Sequence, residues 1–286
     1  MSGWGRRAAK LVFDIRRQRE AIPYVFVDYA RNPAALATDL RFKRWAPAAG
    51  FLGAGLDLLA ALCGTDKFGL HHYTPVYEAL VRPLRRQAIS LLELGVGGYR
   101  RGLGGESLLM WAAYFPKGRI YGVDIEDKTA LSRGRIKVFQ CSQTDRQKLG
   151  ALCDEIGPFD LVIDDGSHVN PHQIESFRIL WPYVKDGGWY VVEDVQTSYW
   201  PSYGGGAPGS PAYASSCMSF FKALADSVNH CEFLDPPRIE TDPSIGQIAF
   251  HHNMIVLRKD ESPRTSNVPL HREAVHADLM KPRSRP

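Results

Sequence analysis

The chain has 286 residues, 44% of them hydrophobic, and a formal net charge of +4. This suits one α/β domain with extensions or two small domains. So mild a charge, with no Lys/Arg run interleaved with aromatics, gives no expectation of nucleic-acid binding. The five cysteines (Cys63, Cys141, Cys153, Cys217 and Cys231) are scattered and lack CxxC spacing. That argues against a zinc site and a disulfide framework, and it fits a reducing cytoplasm.

Residues 1–62 read as a helical N-terminal region. Within 1–20, Arg and Lys are interspersed with Trp4, Leu11, Val12 and Phe13, the pattern of a basic amphipathic helix able to make peripheral membrane contact. No apolar core followed by small residues marks a secretory signal. Residues 45–64 are apolar and long enough to span a bilayer. Asp57, however, sits near the centre, where an acid costs about 3 kcal/mol on insertion scales, and Pro47 and several glycines interrupt the run. A core or oligomer-interface helix is expected instead, and with it a homo-oligomer.

From 63 to 259 strands and helices alternate. Residues 88–94 form an apolar strand ending in Gly95-Val-Gly97-Gly98. A helix over 106–115 carries Leu108, Leu109, Trp111 and Ala112. Strands follow at 119–123, ending at Asp124, and at 136–139; then a helix over 146–156, a strand at 159–163, a helix over 170–184 and a strand at 188–192. Such alternation indicates βαβ units and a parallel sheet. The Gly/Pro/Ser/Tyr-rich stretch 198–214 reads as a mobile loop placed to act as a lid. A helix over 215–227 and two strands near 231–234 and 253–257 complete the pattern. Residues 260–286 are polar and read as a disordered tail.

Two strands end abruptly in acids: Leu161-Val-Ile-Asp164-Asp165-Gly166-Ser167-His168 and Trp189-Tyr-Val-Val-Glu193-Asp194. Acids at the C-terminal ends of buried parallel strands line the crevice where open α/β sheets bind ligands. Four carboxylates and a histidine gathered there point to a divalent metal beside a general base. The plainer alternative is Asp-Gly turns that cap helices, which accounts for one such strand end more readily than for two. Elsewhere, His71 and His72 read as core or surface residues rather than ligands. Of the adjacent His251 and His252, at most one would face a site from a strand.

The turn after the first strand, Leu91-Leu-Glu93-Leu-Gly95-Val-Gly97-Gly98, lets backbone approach a ligand and is compatible with NAD, FAD or another nucleoside cofactor. Glu93 beside the turn would repel a pyrophosphate, but suits a cofactor with a cationic amino group. Asp124 at the next strand end is placed to accept from ribose hydroxyls. Together they favour S-adenosylmethionine over NAD. The turn Gln140-Cys-Ser142-Gln143-Thr-Asp145 would flank the adenine in such a fold. Ser142, Gln143 and Asp145 are polar enough to read an aminopurine edge, the alternative being helix capping by Ser142 or Thr144.

Residues 92–99, 104–116 and 121–128, the Asp-Asp-Gly-Ser-His and Glu-Asp-Val-Gln-Thr-Ser-Tyr-Trp stretches, and Gly64-Thr-Asp-Lys-Phe-Gly with His72-Tyr-Thr-Pro75 resemble the metal-dependent sugar O-methyltransferases of macrolide biosynthesis. The resemblance covers about 63–258 and implies a Rossmann-like class I methyltransferase: a mostly parallel seven-stranded sheet with helices on both faces. It implies Mg2+ on Asp165, Glu193 and Asp194, with His168 as general base. It implies S-adenosylmethionine held by Glu93, Gly95, Gly97, Asp124, Ser142 and Gln143, with Asp164 nearby. The chain departs from the family at Ser142, where an acid is frequent, and at Gln247-Ile-Ala-Phe-His-His252, where Ser-Ile-His-Phe-Tyr is usual. The layout of acids and base also resembles catechol O-methyltransferases, in which a lysine is the base. The acceptor expected is a sugar hydroxyl of a natural product or glycolipid. A catechol or other vicinal diol is the alternative, as is a non-catalytic S-adenosylmethionine-binding or cephalosporin-hydroxylase-like accessory protein. The setting expected is cytoplasmic, with membrane association only through the N-terminus.

Overall fold

A computed structural model of the chain describes residues 43–98, 104–233, 235, 237–262 and 265–266. The amphipathic stretch expected over 1–20 and nearly all of the tail expected after 260 lie outside them. The chain divides into two compact units, Met1–Pro83 with Gly98–Tyr114, and Leu84–Gly97 with Phe115–Pro286.

The first unit is helical: α1 (Ala46–Phe51), α2 (Leu56–Cys63), α3 (Thr74–Val81) and α4 (Glu106–Tyr114). The apolar run 45–64 thus folds as two short helices. Gly53 (φ +90°) turns the chain between them, and α2 stops at Gly64, which is left-handed and donates to the Ala60 carbonyl. Asp57, the acid that disfavoured a membrane span, accepts from the Thr74 hydroxyl at 2.6 Å. Tyr77 and Trp111 meet edge to face at 5.0 Å in this unit's interior. Among the described residues no helix is long and apolar enough to cross a membrane.

The second unit is a seven-stranded sheet. Its strands are β1 (Ser90–Leu94), β2 (Arg119–Asp124), β3 (Ile136–Gln140), β4 (Phe159–Asp164), β5 (Val184–Glu193), β6 (Ile245–His251) and β7 (Met254–Lys259). Their spatial order is β3-β2-β1-β4-β5-β7-β6. The first five pair in parallel, and only β7 runs against its neighbours. This is the mostly parallel sheet of the class I methyltransferase fold, and every residue of β1 is buried, as a central parallel strand requires. The reversal of strand order at β1, with β2 on one side and β4 on the other, opens the ligand crevice at its C-terminal end. The sheet carries α5 (Arg146–Ile156), α6 (Asn170–Leu180), α7 (Pro211–Ala214) and α8 (Cys217–Ala223). Leu92, Val162, Phe177, Tyr190, Phe221 and Leu257 belong to one core, in which the Phe177 ring packs edge-on against Tyr190 and Phe221.

Three elements differ from expectation. The helix expected over 170–184 ends at Leu180 and tightens into a 3-10 turn, Trp181–Tyr183, because Pro182 has no amide hydrogen to donate to the carbonyl four residues back. The strand expected near 231–234 is not one: Cys231 and Glu232 close a 3-10 run, Leu224–Glu232, and the sixth strand is Ile245–His251. It forms a hairpin with β7 through His252-Asn253, and Asn253 takes a positive φ (+58°), which asparagine tolerates better than most residues. His252 thus lies in the turn, and both it and His251 are exposed. Finally, the stretch expected as a loop holds two 3-10 turns, Val195–Tyr199 and Pro201–Tyr203, followed by α7.

Candidate active site

The acid pairs at the ends of β4 and β5 each divide. Each pair has one acid inside its strand, Asp164 or Glu193, and one just beyond the strand end, Asp165 or Asp194. Asp164 is fully buried. It accepts from the Ser176 hydroxyl, the Tyr190 hydroxyl at 3.5 Å, the Gly166 amide at 3.3 Å and the Gln143 amide at 3.3 Å. Burial pushes its carboxyl up to about 6, against the lowering effect of the Ser176 and Gly166 hydrogen bonds. Expected toward the cofactor, Asp164 is turned instead into the interior between β4, β5 and α6. Asp165, half-buried, faces the other way.

The same division occurs at β5. Glu193 is buried, with its main-chain carbonyl accepting from Gln173 Nε2 at 3.0 Å. Asp194 leaves the strand in a left-handed conformation (φ +54°, ψ +39°). His168 is left-handed too (φ +57°). Non-glycine residues in this region are uncommon and cluster where geometry is functionally constrained.

These turns bring three groups together. His168 Nε2 lies 3.7 Å from Asp194 Oδ2 and 4.0 Å from Asp165 Oδ1, and ligand atoms of the three residues all fall within 4.8 Å of one another. Among the described residues they form the metal-capable cluster, and the Glu193 carboxylate is not part of it. Two carboxylate oxygens at this spacing fit a hard cation such as Mg2+, whose ligands lie about 2.1 Å from the ion. His168 Nδ1 is buried without a hydrogen-bond partner among the described residues.

The crevice beside the cluster begins at the end of β1. Gly95 takes φ +80°, and a Cβ there would lie 2.0 Å from the Asp165 carbonyl oxygen; the glycine is what lets the β4 loop cross the end of β1. Gly97 also has positive φ (+73°), but a Cβ there would meet nothing within 4 Å among the described residues, so on their side this backbone is open to a ligand. Glu93 is fully buried in β1. Asp124 accepts from the Val96 amide at 2.9 Å and the Glu126 amide at 2.9 Å. It also pairs with Lys128 Nζ at 3.1 Å, and the same ammonium donates to the Gly97 carbonyl. Lys128, whose role the sequence did not suggest, therefore ties the glycine turn to the acid expected to bind ribose. These features form a cradle that fits a nucleoside cofactor.

The turn expected to flank adenine is largely occupied with itself. Ser142 Oγ accepts from the Thr144 amide at 3.3 Å, and the cap of α5 is Asp145, which accepts from the Lys148 amide at 2.9 Å. Gln143 reaches across to the β4 loop, donating to Asp164 and accepting from the Ser167 amide at 2.7 Å.

Sequence reading also missed Asn170. Fully buried at the start of α6, its Nδ2 donates to the carbonyls of Thr197 (3.1 Å) and Tyr203 (2.8 Å). Its Oδ1 accepts from the Ser198 hydroxyl (3.0 Å) and the Cys217 amide (2.7 Å). One side chain thus binds the segment after Asp194 and the start of α8 to the helix that follows His168. Asn170→Ala leaves these buried groups unpaired and is expected to cost about 3 kcal/mol. Urea unfolding measures this; a loss below about 1 kcal/mol would contradict the assignment.

No family model matches the chain. It is 40% identical over 224 residues to 8-demethyl-8-alpha-L-rhamnosyl tetracenomycin-C 2'-O-methyltransferase of Streptomyces olivaceus, covering 77% of this chain and 58% of the relative. It is 43% identical over 209 residues to mycinamicin VI 2''-O-methyltransferase of Micromonospora griseorubida, covering 71% of this chain and 52% of the relative. Among solved structures, the MycE methyltransferase of the mycinamycin pathway in complex with Mg and SAH superposes with a TM-score of 0.71 at 37% identity, over 78% of this chain and 60% of that one. The chain spans between 46% and 62% of the length of the curated relatives it matches. On sheet order and on sequence alike, it is a homologue of the sugar O-methyltransferases of macrolide and related antibiotic biosynthesis.

Proposed function

We propose that this protein is an S-adenosylmethionine- and Mg2+-dependent O-methyltransferase acting on a sugar hydroxyl of a glycosylated natural product. The observation that carries the reading is the Asp165–His168–Asp194 cluster at the C-terminal ends of β4 and β5, next to the glycine turn of β1. The named activities of the relatives support the same reaction class, and the rhamnosyl and olivosyl groups named for two of them support a deoxysugar acceptor. In this reading S-adenosylmethionine supplies an electrophilic methyl group, and Mg2+ a hard cation that makes a sugar hydroxyl more acidic.

The chain's own residues do the rest. Asp165 and Asp194 hold the cation; Glu193, the third acid ligand that the family resemblance implies, lies outside their cluster here. His168 takes the hydroxyl proton on Nε2 as the oxygen attacks, which demands a neutral imidazole within reach of the acceptor. Asp124 accepts from the ribose, Glu93 stabilises the cationic amino group, and Gly97 admits the cofactor close to the backbone. Ser142 lines the adenine side. Fixing the acceptor oxygen in line with the methyl group removes much of the entropic barrier. A homo-oligomer in the cytoplasm belongs to the same proposal, and light scattering against the 32.0 kDa chain mass tests its first part.

The deciding experiment supplies labelled S-adenosylmethionine with a panel of rhamnosylated and other deoxysugar glycosides, and with catechol as comparison. Transfer to a glycoside is expected, abolished by EDTA and restored by Mg2+. Transfer to catechol alone would reassign the acceptor, and transfer indifferent to EDTA would remove the metal from the reading.

A further inference from the structure

We propose that Gln143 is a positioning residue for the metal and the base, rather than a reader of the adenine edge; the inference rests on the reading just given. Gln143 stands in the turn after β3, yet its side chain works on the loop after β4. Its Oε1 accepts from the Ser167 amide at 2.7 Å, and its Nε2 donates to Asp164 Oδ1 at 3.3 Å and Ser176 Oγ at 3.4 Å. Both ends of the amide are therefore engaged within the protein, on the β4 loop and α6.

The clamp closes on the four-residue stretch that carries the chemistry. Asp165 precedes Gly166 and Ser167, and His168 follows them. Gly166 is pressed against the clamp: a Cβ there would lie 2.3 Å from Gln143 Oε1. Ser167 is held at its other end, where its hydroxyl meets His172 Nδ1 at 2.9 Å. With the Ser167 amide pinned by Gln143, the next residue enters its left-handed conformation in a fixed direction, and the His168 ring reaches Asp165 and Asp194. Groups that orient metal ligands without touching the metal commonly govern metal affinity by about 10–100-fold.

Isothermal titration of S-adenosylhomocysteine and of Mg2+, with steady-state kinetics on the full chain, tests this in three variants. Gln143→Ala removes the clamp. Gly166→Ala pushes the Gln143 amide aside from the opposite face. Gln143→Glu keeps an acceptor for the Ser167 amide. Gln143→Ala and Gly166→Ala are each expected to raise the Mg2+ dissociation constant about tenfold and lower kcat at least as much, with S-adenosylhomocysteine affinity within about twofold of wild type. Gln143→Glu is expected to recover part of the loss. Agreement between two variants altered at different residues separates loss of the clamp from misfolding of either one. Weakened S-adenosylhomocysteine binding with unchanged Mg2+ affinity and kcat would restore the adenine contact and overturn the inference. Unchanged constants in both variants would overturn it as well. Wild-type protein that binds neither S-adenosylhomocysteine nor Mg2+ would overturn the parent reading together with this one.

Discussion

His168→Ala is expected to lower the rate of methyl transfer by about 10²- to 10⁴-fold, the usual contribution of a positioned general base. S-adenosylhomocysteine binding should stay close to wild type. The imidazole stands between two carboxylates, 3.7 Å from one and 4.0 Å from the other, so its removal takes away the one group of the cluster that can accept a proton without first giving up a cation. Backbone strain complicates the alanine variant, because position 168 has φ +57° and alanine tolerates this poorly. His168→Asn is the control: asparagine is at ease in the left-handed region, yet is no base at neutral pH. Both variants should be equally slow, and His168→Asn should melt as wild type does. If His168→Asn keeps more than about a tenth of the wild-type rate, the proton goes elsewhere.

Gly95→Ala carries the largest expected cost in stability. The new Cβ would sit 2.0 Å from the Asp165 carbonyl oxygen and 2.7 Å from the carbonyl carbon. These are backbone atoms at the end of a central strand, with no rotamer to escape into. The left-handed φ adds a further penalty. Together a loss of about 4 kcal/mol is expected, which in a chain of this size corresponds to a melting temperature lower by roughly 10 °C. Gly97→Ala isolates the clash, since Gly97 shares the positive φ but a Cβ there meets open space; about 1 kcal/mol is expected for it. Equal melting temperatures for the two variants would show that the β4 loop yields to the added atom. Where Gly95→Ala folds at all, Asp165 is displaced and Mg2+ affinity falls with it.

The residues that made the sheet legible are those whose environment is set by their own strand. Leu91, Leu92 and Leu94, and Leu161 to Ile163, are apolar because both faces are covered, and Glu93 and Asp164 are the buried acids that break or end these runs. What sequence could not convey is which acid of each pair turns inward. Asp164 and Asp165 are chemically the same, and the choice depends on Ser176 and Tyr190, which arrive from α6 and β5. Asn170 was invisible for a like reason: a buried asparagine looks the same in sequence as an exposed one, and its four partners are spread from Thr197 to Cys217. The glycines and prolines of 198–214 correctly signalled turns. Composition alone could not say that the turns are pinned to a helix. Nor could Gly246, within an otherwise alternating run, announce β6 before its partner β7 was in view.

The amide of Val195 donates to the carbonyl of Asn253 at 3.2 Å, and Glu193 pairs with Met254 across β5 and β7. The residue after Asp194 is thus anchored to the hairpin that closes the sheet. During synthesis the chain emerges from its N-terminal end, so each acid and the histidine of the cluster leave the ribosome well before that hairpin does. Until β7 slots in, β5 is an open edge that offers its amides to any passing strand, and Asp194 lacks the neighbour that sets its turn. The proposed catalytic centre is therefore completed by a piece of chain that carries none of the proposed reactive groups, and the nascent protein is most exposed to mispairing when it already holds all of them.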